Sequence, residues 1–307
     1  MINRLRFFKQ VPRVMFGRGA FAKLAETLEA HRARGYVVFL IDHVHRKTGL
    51  RDRLPAAPGD LVIDVDTTHE PTTRQVDELR DGILQQKQGQ LPSIVLGLGG
   101  GSTMDVAKAV SVMLTNPGSS TQYQGWDLVK HEAVPKMAIP TLSGTGAEAS
   151  RTAVLTGPEK KFGINSDPSM FDWVLMDPDL LATVPNDQRF YTGMDCYIHS
   201  VEALEGSFIN EFGRLFATGA LDLCRKYFLK QGGTDEELMV ASYAGGASVA
   251  NSEVGVVHAM SYGLSLVLGF HHCEANCIVF DQLEEFYGKY LPEFREMMRL
   301  NQIVLPR

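Results

Sequence analysis

Long uncharged apolar runs are absent: nowhere in the 307 residues do roughly 20 apolar residues follow one another, the length a membrane-crossing helix needs. Cysteine is scarce too. The four present, Cys196, Cys224, Cys273 and Cys277, form no CxxC pair and no framework spacing, which fits a reducing compartment and argues against a disulfide-stapled secreted fold. Positive charge is in deficit. With a net charge of −6, no bulk field draws the chain to nucleic acid or to an anionic membrane surface. Internal repeats and low-complexity stretches are missing, and without a GK[ST] triplet there is no Walker-type phosphate loop.

What is present is ordinary in bulk and uneven in detail. An apolar fraction of 44% and a charged fraction of 21% suit a soluble globular chain, long enough for about two domains of ~150 residues each. The first 20 residues, MINRLRFFKQVPRVMFGRGA, are basic, and no acidic residue precedes Glu26. They lack the continuous apolar stretch of a secretory signal, and Pro12 interrupts any helix. An opening β-hairpin is expected there, in a cytoplasmic protein.

The first half alternates buried strands with amphipathic helices. Gly35–Asp42 (GYVVFLID), Asp60–Val65 (DLVIDV) and Ser93–Gly99 (SIVLGLG) read as strands. Ala20–His31 and Thr72–Gln86 read as helices. Such alternation predicts a parallel sheet covered on both faces. From about Pro185 the texture changes to long helices, for example Phe212–Phe228 and Glu236–Ser252. A Rossmann-like α/β domain is therefore expected over residues 1–182, and an all-helical, metal-binding domain over 183–307.

Ser93–Val110 (SIVLGLGGGSTMDVAKAV) is a strand, a glycine turn and a helix. Ser102 or Thr103 is the expected N-cap, with Asp105 in the first turn. Gly99, Gly100 and Gly101 let backbone approach a ligand closely, and a helix N-terminus offers free N–H groups to phosphate. A second loop, Thr141–Ser150 (TLSGTGAEAS), again follows a short apolar segment. Either the glycines serve tight packing alone or the two loops hold a dinucleotide; two such loops favour the dinucleotide. Asp42, ending an early strand, is placed to accept hydrogen bonds from an adenosine ribose and to repel a 2′-phosphate, which favours NAD over NADP.

In the helical half, Asp195 and His199 stand four residues apart, so on a helix their Cβ atoms are about 5–6 Å apart on one face. They form either a solvated ion pair or half of a metal site. Four of the nine histidines lie between Asp195 and Asn276. Asp195, His199, His258 and His272 together would supply one carboxylate and three imidazoles, a set suited to Fe²⁺ or Zn²⁺.

The stretches GGGSTMDVAKA, IPTLSGTGAEAS, MDPDLLATVP, GMDCYIHSVEA, NSEVGVVHAMSYGL and HHCEAN, in that order from Gly99 to Asn276, resemble the iron-containing (group III) alcohol dehydrogenase family. That family shares its fold with dehydroquinate synthase and glycerol dehydrogenase. The resemblance implies metal ligation by Asp195, His199, His258 and His272. It also implies a dinucleotide held by the loops at Gly99–Ser102 and Thr141–Thr145, with Asp42 on the adenosine ribose and Lys161 near the nicotinamide ribose. The implied reaction is oxidation of an alcohol to a carbonyl with hydride transfer to NAD.

This chain also departs from the family pattern. Tyr262 stands where many members carry a second histidine, and Cys273 replaces a common glycine after the last ligand. Tyr262, with a reference pKa of about 10, is a poor proton acceptor, whereas His271, at about 6.5, suits the task. His271 is thus expected to receive the alcohol proton or to orient His272. The surroundings of Tyr262 and GFHHCEAN look most like the branch that oxidises the C8 hydroxyl of 3-deoxy-manno-octulosonate, a sugar acid of lipopolysaccharide. The expected partner is a small polar alcohol or sugar acid, and the expected assembly a homodimer. Family members usually continue beyond the position of Arg307, so the helical domain is expected to be truncated or unusually small. The rival readings are a lyase of the dehydroquinate synthase type and a non-catalytic binding protein.

Overall fold

The computed structural model describes residues 8–306. In chain order its elements are β1 (Arg13–Phe16), α1 (Leu24–Arg32), β2 (Val37–Asp42), α2 (His45–Thr48), β3 (Leu61–Val65), α3 (Thr73–Gln86), β4 (Ile94–Gly99) and α4 (Gly101–Met113). Then come β5 (Gly125–Trp126), β6 (Lys136–Pro140), β7 (Thr152–Thr156), β8 (Lys161–Asn165) and β9 (Trp173–Met176). Helices alone follow: α5 (Asn186–Glu205), α6 (Glu211–Phe228), α7 (Asp235–Ala250), α8 (Val256–Leu268), α9 (His272–Gln282), α10 (Glu284–Tyr287) and α11 (Leu291–Leu300). No described helix is long and apolar enough to cross a membrane.

Continuous apolar runs become strands buried on both faces. Val38 and Leu40 of β2 pack with Val106 and Val110 of α4, while Val37, Phe39 and Ile41 face the opposite layer with Leu24 and Leu28 of α1. The six-stranded sheet has the order β1-β9-β6-β4-β2-β3, and every pairing in it is parallel. From β2 the chain runs outward to β3, then returns to place β4 on the other side of β2. This reversal opens a crevice at the carboxyl ends of β2 and β4, the usual ligand position in open α/β sheets.

Several expectations need correction. Arg13–Phe16 is not part of a hairpin; it pairs in parallel with β9 across about 160 residues of chain, while the rest of the expected hairpin, residues 1–7, lies outside the described residues. Neither Ser102 nor Thr103 caps α4. The helix starts earlier, with Gly100 at the N-cap and no side-chain cap bond, so Asp105 falls beyond the first turn. Its carboxylate instead accepts from the backbone N–H of Val154 at 3.1 Å. A second, three-stranded sheet of order β5-β8-β7 was not anticipated.

Among the helices, α5 is central. Its residues from Thr192 to Ala203 are all buried, wrapped by α6, α7 and α9. Any charge on that stretch must find a partner, since an unpaired buried charge is very costly.

Candidate metal and dinucleotide site

Asp195 lies on this enclosed stretch of α5, fully buried, with His199 one turn on. The other two histidines sit at helix starts: His258 is in the first turn of α8, and His272 is the first residue of α9. Their imidazoles converge on Asp195. Around Asp195 Oδ1, the Nε2 atoms of His258, His272 and His199 lie at 3.3, 3.8 and 4.0 Å. Ligand atoms of Asp195, His199 and His258 fall within 4.8 Å of one another, and all three residues are buried. The His199 and His258 rings stack at 4.3 Å.

Two residues that the sequence reading missed organise this cluster. Glu202, also on α5, accepts from His258 Nδ1 at 2.5 Å and from the Val257 N–H at 2.7 Å. That bond fixes the His258 tautomer and turns Nε2 toward Asp195, as acidic partners do for metal-bound histidines. Asn276 of α9 donates to Asp195 Oδ1 at 2.7 Å, with the Nε2 atoms of His258 and His272 at 3.1 and 3.2 Å. Cys273 donates weakly to Asp195 Oδ2 at 3.7 Å.

The electrostatics follow from burial and pairing. Burial opposes charge on Asp195, yet His199, His272 and His258 outweigh it and hold the carboxyl below its ordinary range. Burial pushes His199 down to about 4 and His272 down to about 3, so both are neutral, ligand-competent imidazoles at pH 7. His258 goes the other way. Burial works against its charge, but Glu202 and Asp195 raise it to about 10, so without an ion its Nε2 keeps a proton that a bound cation would displace. One anionic oxygen and converging imidazoles with a carboxylate-oriented tautomer suit a divalent cation of the Fe²⁺ or Zn²⁺ kind. The residues present fit such an ion.

The cluster lies in the wall of a cavity of about 1250 Å³ that also reaches the carboxyl ends of β2, β4 and β6. Asp42, Gly100, Gly101, Ser102, Thr141, Thr145 and Lys161 line it, together with Tyr262, His271 and the four predicted ligands. Gly99 does not line the cavity; it ends β4 just beneath. The two glycine loops interlock, because a Cβ on Gly101 would come within 2.8 Å of Thr145 Oγ1. The second loop is pinned to the helices: a Cβ on Gly246 of α7 would sit 2.0 Å from the Gly146 carbonyl oxygen. Asp42 accepts from Val44 N–H and Thr67 Oγ1, both at 3.0 Å.

Tyr262 and His271 take different positions. The Tyr262 ring lies 5.9 Å from His272, and burial followed by the nearby carboxylates pushes its hydroxyl up. His271 is exposed at the N-cap of α9. A third missed residue, Glu70, pairs with Lys161 at 3.1 Å and accepts from the His272 N–H at 2.8 Å.

Comparisons with known proteins identify the family. Residues 12–178 match the family described as iron-containing alcohol dehydrogenase, and residues 189–305 match its C-terminal family. The chain is 30% identical over 279 residues to the NAD-dependent methanol dehydrogenase of Bacillus methanolicus, covering 87% of this chain and 72% of that protein. It is 28% identical over 287 residues to alcohol dehydrogenase 4 of Schizosaccharomyces pombe, covering 90% of this chain and 67% of that one. The solved sulfoacetaldehyde reductase of Bifidobacterium kashiwanohense, in complex with NAD+, shares the fold with a TM-score of 0.84. The identity there is 23%, over 99% of this chain and 88% of that structure.

Proposed function

The chain belongs to the iron-containing alcohol dehydrogenase family, and from that premise we propose that it oxidises a small neutral primary alcohol to the aldehyde, with hydride passing to NAD. It is an oxidoreductase acting on alcohols, of a family that uses NAD and one divalent metal. The observation that carries the proposal is one cavity shared by the Asp195–histidine cluster and the loops at the β2 and β4 carboxyl ends.

In this reading residues 1–182 are the dinucleotide domain and residues 183–307 the metal domain. Asp195, His199, His258 and His272 hold the ion, which supplies the Lewis acidity that eases loss of the alcohol proton. Glu202 keeps His258 in the ligating tautomer. Gly100–Ser102 and Thr141–Thr145 cradle the pyrophosphate, with Gly99 beneath them at the end of β4; Asp42 receives the adenosine ribose, and Lys161 faces the nicotinamide end. Tyr262, its hydroxyl pushed up by burial, keeps its proton. His271, exposed at the cavity mouth, is then the residue through which the proton reaches solvent.

Charge on the cavity wall argues for a neutral substrate. The lysines and arginine lining it, Lys9, Lys161 and Arg151, are each paired with a carboxylate: Asp167 at 2.5 Å, Glu70 at 3.1 Å and Asp167 at 3.0 Å. Carboxylates outnumber these three cations along the wall, a balance that disfavours an anionic substrate such as 3-deoxy-manno-octulosonate or a lyase substrate. The test is net NADH formation by the Fe²⁺-loaded chain with ethanol, 1,2-propanediol and the sugar acid in parallel. Faster turnover of the neutral alcohols supports the proposal. Faster turnover of the sugar acid would overturn the substrate class, and no NADH from any of them the reaction.

A further inference from the structure

Glu70 stands on a fixed stretch between β3 and α3. Its neighbour Pro71 offers its carbonyl to Thr156 N–H at 2.8 Å, and Thr72 caps α3 through Gln75 N–H at 3.0 Å. From this support the Glu70 side chain, 20% exposed, reaches two segments far away in sequence. Oε2 pairs with the buried ammonium of Lys161 at the start of β8, at 3.1 Å. Oε1 accepts from the N–H of His272, 2.8 Å away, the first residue of α9. That N–H is one of the four that a helix start leaves without an internal partner, and a carboxylate there is also favoured by the helix dipole.

One carboxylate therefore holds the cation facing the nicotinamide end of the cavity and the backbone of a metal-ligating residue. We propose that Glu70 is a positioning residue that couples the two sites, so that a bound nicotinamide nucleotide tightens metal binding and a bound metal tightens nucleotide binding. The inference rests on the reading of Lys161 and His272 given above. An ammonium has three hydrogens, and Glu70 faces one side of it, at 3.1 Å and without a hydrogen bond. A nucleotide oxygen that takes a hydrogen on another side holds Lys161 in place on Glu70. The ordered carboxylate in turn holds the first turn of α9, and with it the direction in which His272 Nε2 points. Linkage makes the effect reciprocal: each ligand raises the affinity of the other by one common factor.

Glu70→Gln separates the two arms. Its amide oxygen still accepts from the His272 N–H, while the charge that holds Lys161 is gone. Lys161→Met removes the other arm and leaves the carboxylate on α9. The measurement is the dissociation constant of Fe²⁺, by anaerobic competition with a chromogenic chelator, with and without saturating NADH. NADH affinity is read by fluorescence with and without Fe²⁺. The unaltered chain is expected to show about tenfold coupling in both directions, within the range common for linked sites. In Glu70→Gln, in Lys161→Met and in the double variant alike, it falls to about twofold or less, whatever happens to the separate affinities. Full coupling in both single variants overturns the inference. So does a coupling factor of one in the unaltered chain, with both ligands bound. Failure of the unaltered chain to bind Fe²⁺ or NADH at all would instead overturn the site reading, and the inference with it.

Discussion

Replacing Glu202 by glutamine changes one atom and forces a choice on His258. Glu202 serves two donors at once, His258 Nδ1 at 2.5 Å and Val257 N–H at 2.7 Å, and both of its oxygens are buried. Glutamine keeps one acceptor and substitutes an NH₂ for the other. If its oxygen stays with Val257, the NH₂ faces His258 Nδ1, which must then accept and move its proton to Nε2, the ligating atom. If the amide turns over, the buried Val257 N–H loses its acceptor instead. Either arrangement gives up a hydrogen bond to a charged group, worth about 1.5–3 kcal/mol. At about 1.4 kcal/mol per decade the metal is expected to bind about 10–100-fold more weakly, the range seen when such outer partners are removed. The assay is chelator competition for Fe²⁺, with NADH binding and thermal melting as controls for an intact fold. An unchanged metal affinity in a folded Glu202→Gln chain would refute the role given to Glu202.

Asp42→Gly is expected to relax the preference for NADH over NADPH, because the carboxylate that would face a 2′-phosphate is gone; fluorescence titration with both nucleotides checks this, and tighter NADPH binding by the unaltered chain would contradict it. A pH effect is expected far from the site, at Lys136 of β6. Burial, against a partial pull from Asp172, pushes its ammonium down to about 8. Between about 8 and the unfolded value of about 10.4 the unfolded chain binds more protons, so this group makes stability rise with pH across that window. Lys136→Met should flatten that rise in urea denaturation curves recorded at pH 7.5, 9 and 10, with its stabilisation largest at the lowest pH.

The parts of the fold that could be read from sequence are those where local pattern and tertiary environment coincide. A strand buried on both faces must be apolar throughout, so β2 and β4 are plain in VVFLID and IVLGLG. Asp195 and His199 are visible because helical spacing alone puts them on one face. Glu202, seven residues after Asp195, lies on the same stripe of α5 and carries the same spacing signal. The turn Gly157–Lys160 between two short β-rich runs was a hairpin signal for β7 and β8 that the stronger parallel pattern obscured. Other features had no local signature. The β1 pairing joins Arg13 to Trp173, and Glu70 reaches His272 across 202 residues. The cap of α4 was misread because glycines, which need no hydroxyl cap to approach closely, start the helix before Ser102.

The central claim is that one cation sits among Asp195, His199, His258 and His272 in the shared cavity. Diffraction from Fe²⁺-loaded crystals, recorded on both sides of the iron absorption edge, tests it most directly. The account predicts a single anomalous peak at about 2.0–2.2 Å from Asp195 oxygen and from the histidine Nε2 atoms, absent in Asp195→Ala crystals. Iron found at any other position, or a peak that persists in Asp195→Ala, would contradict it.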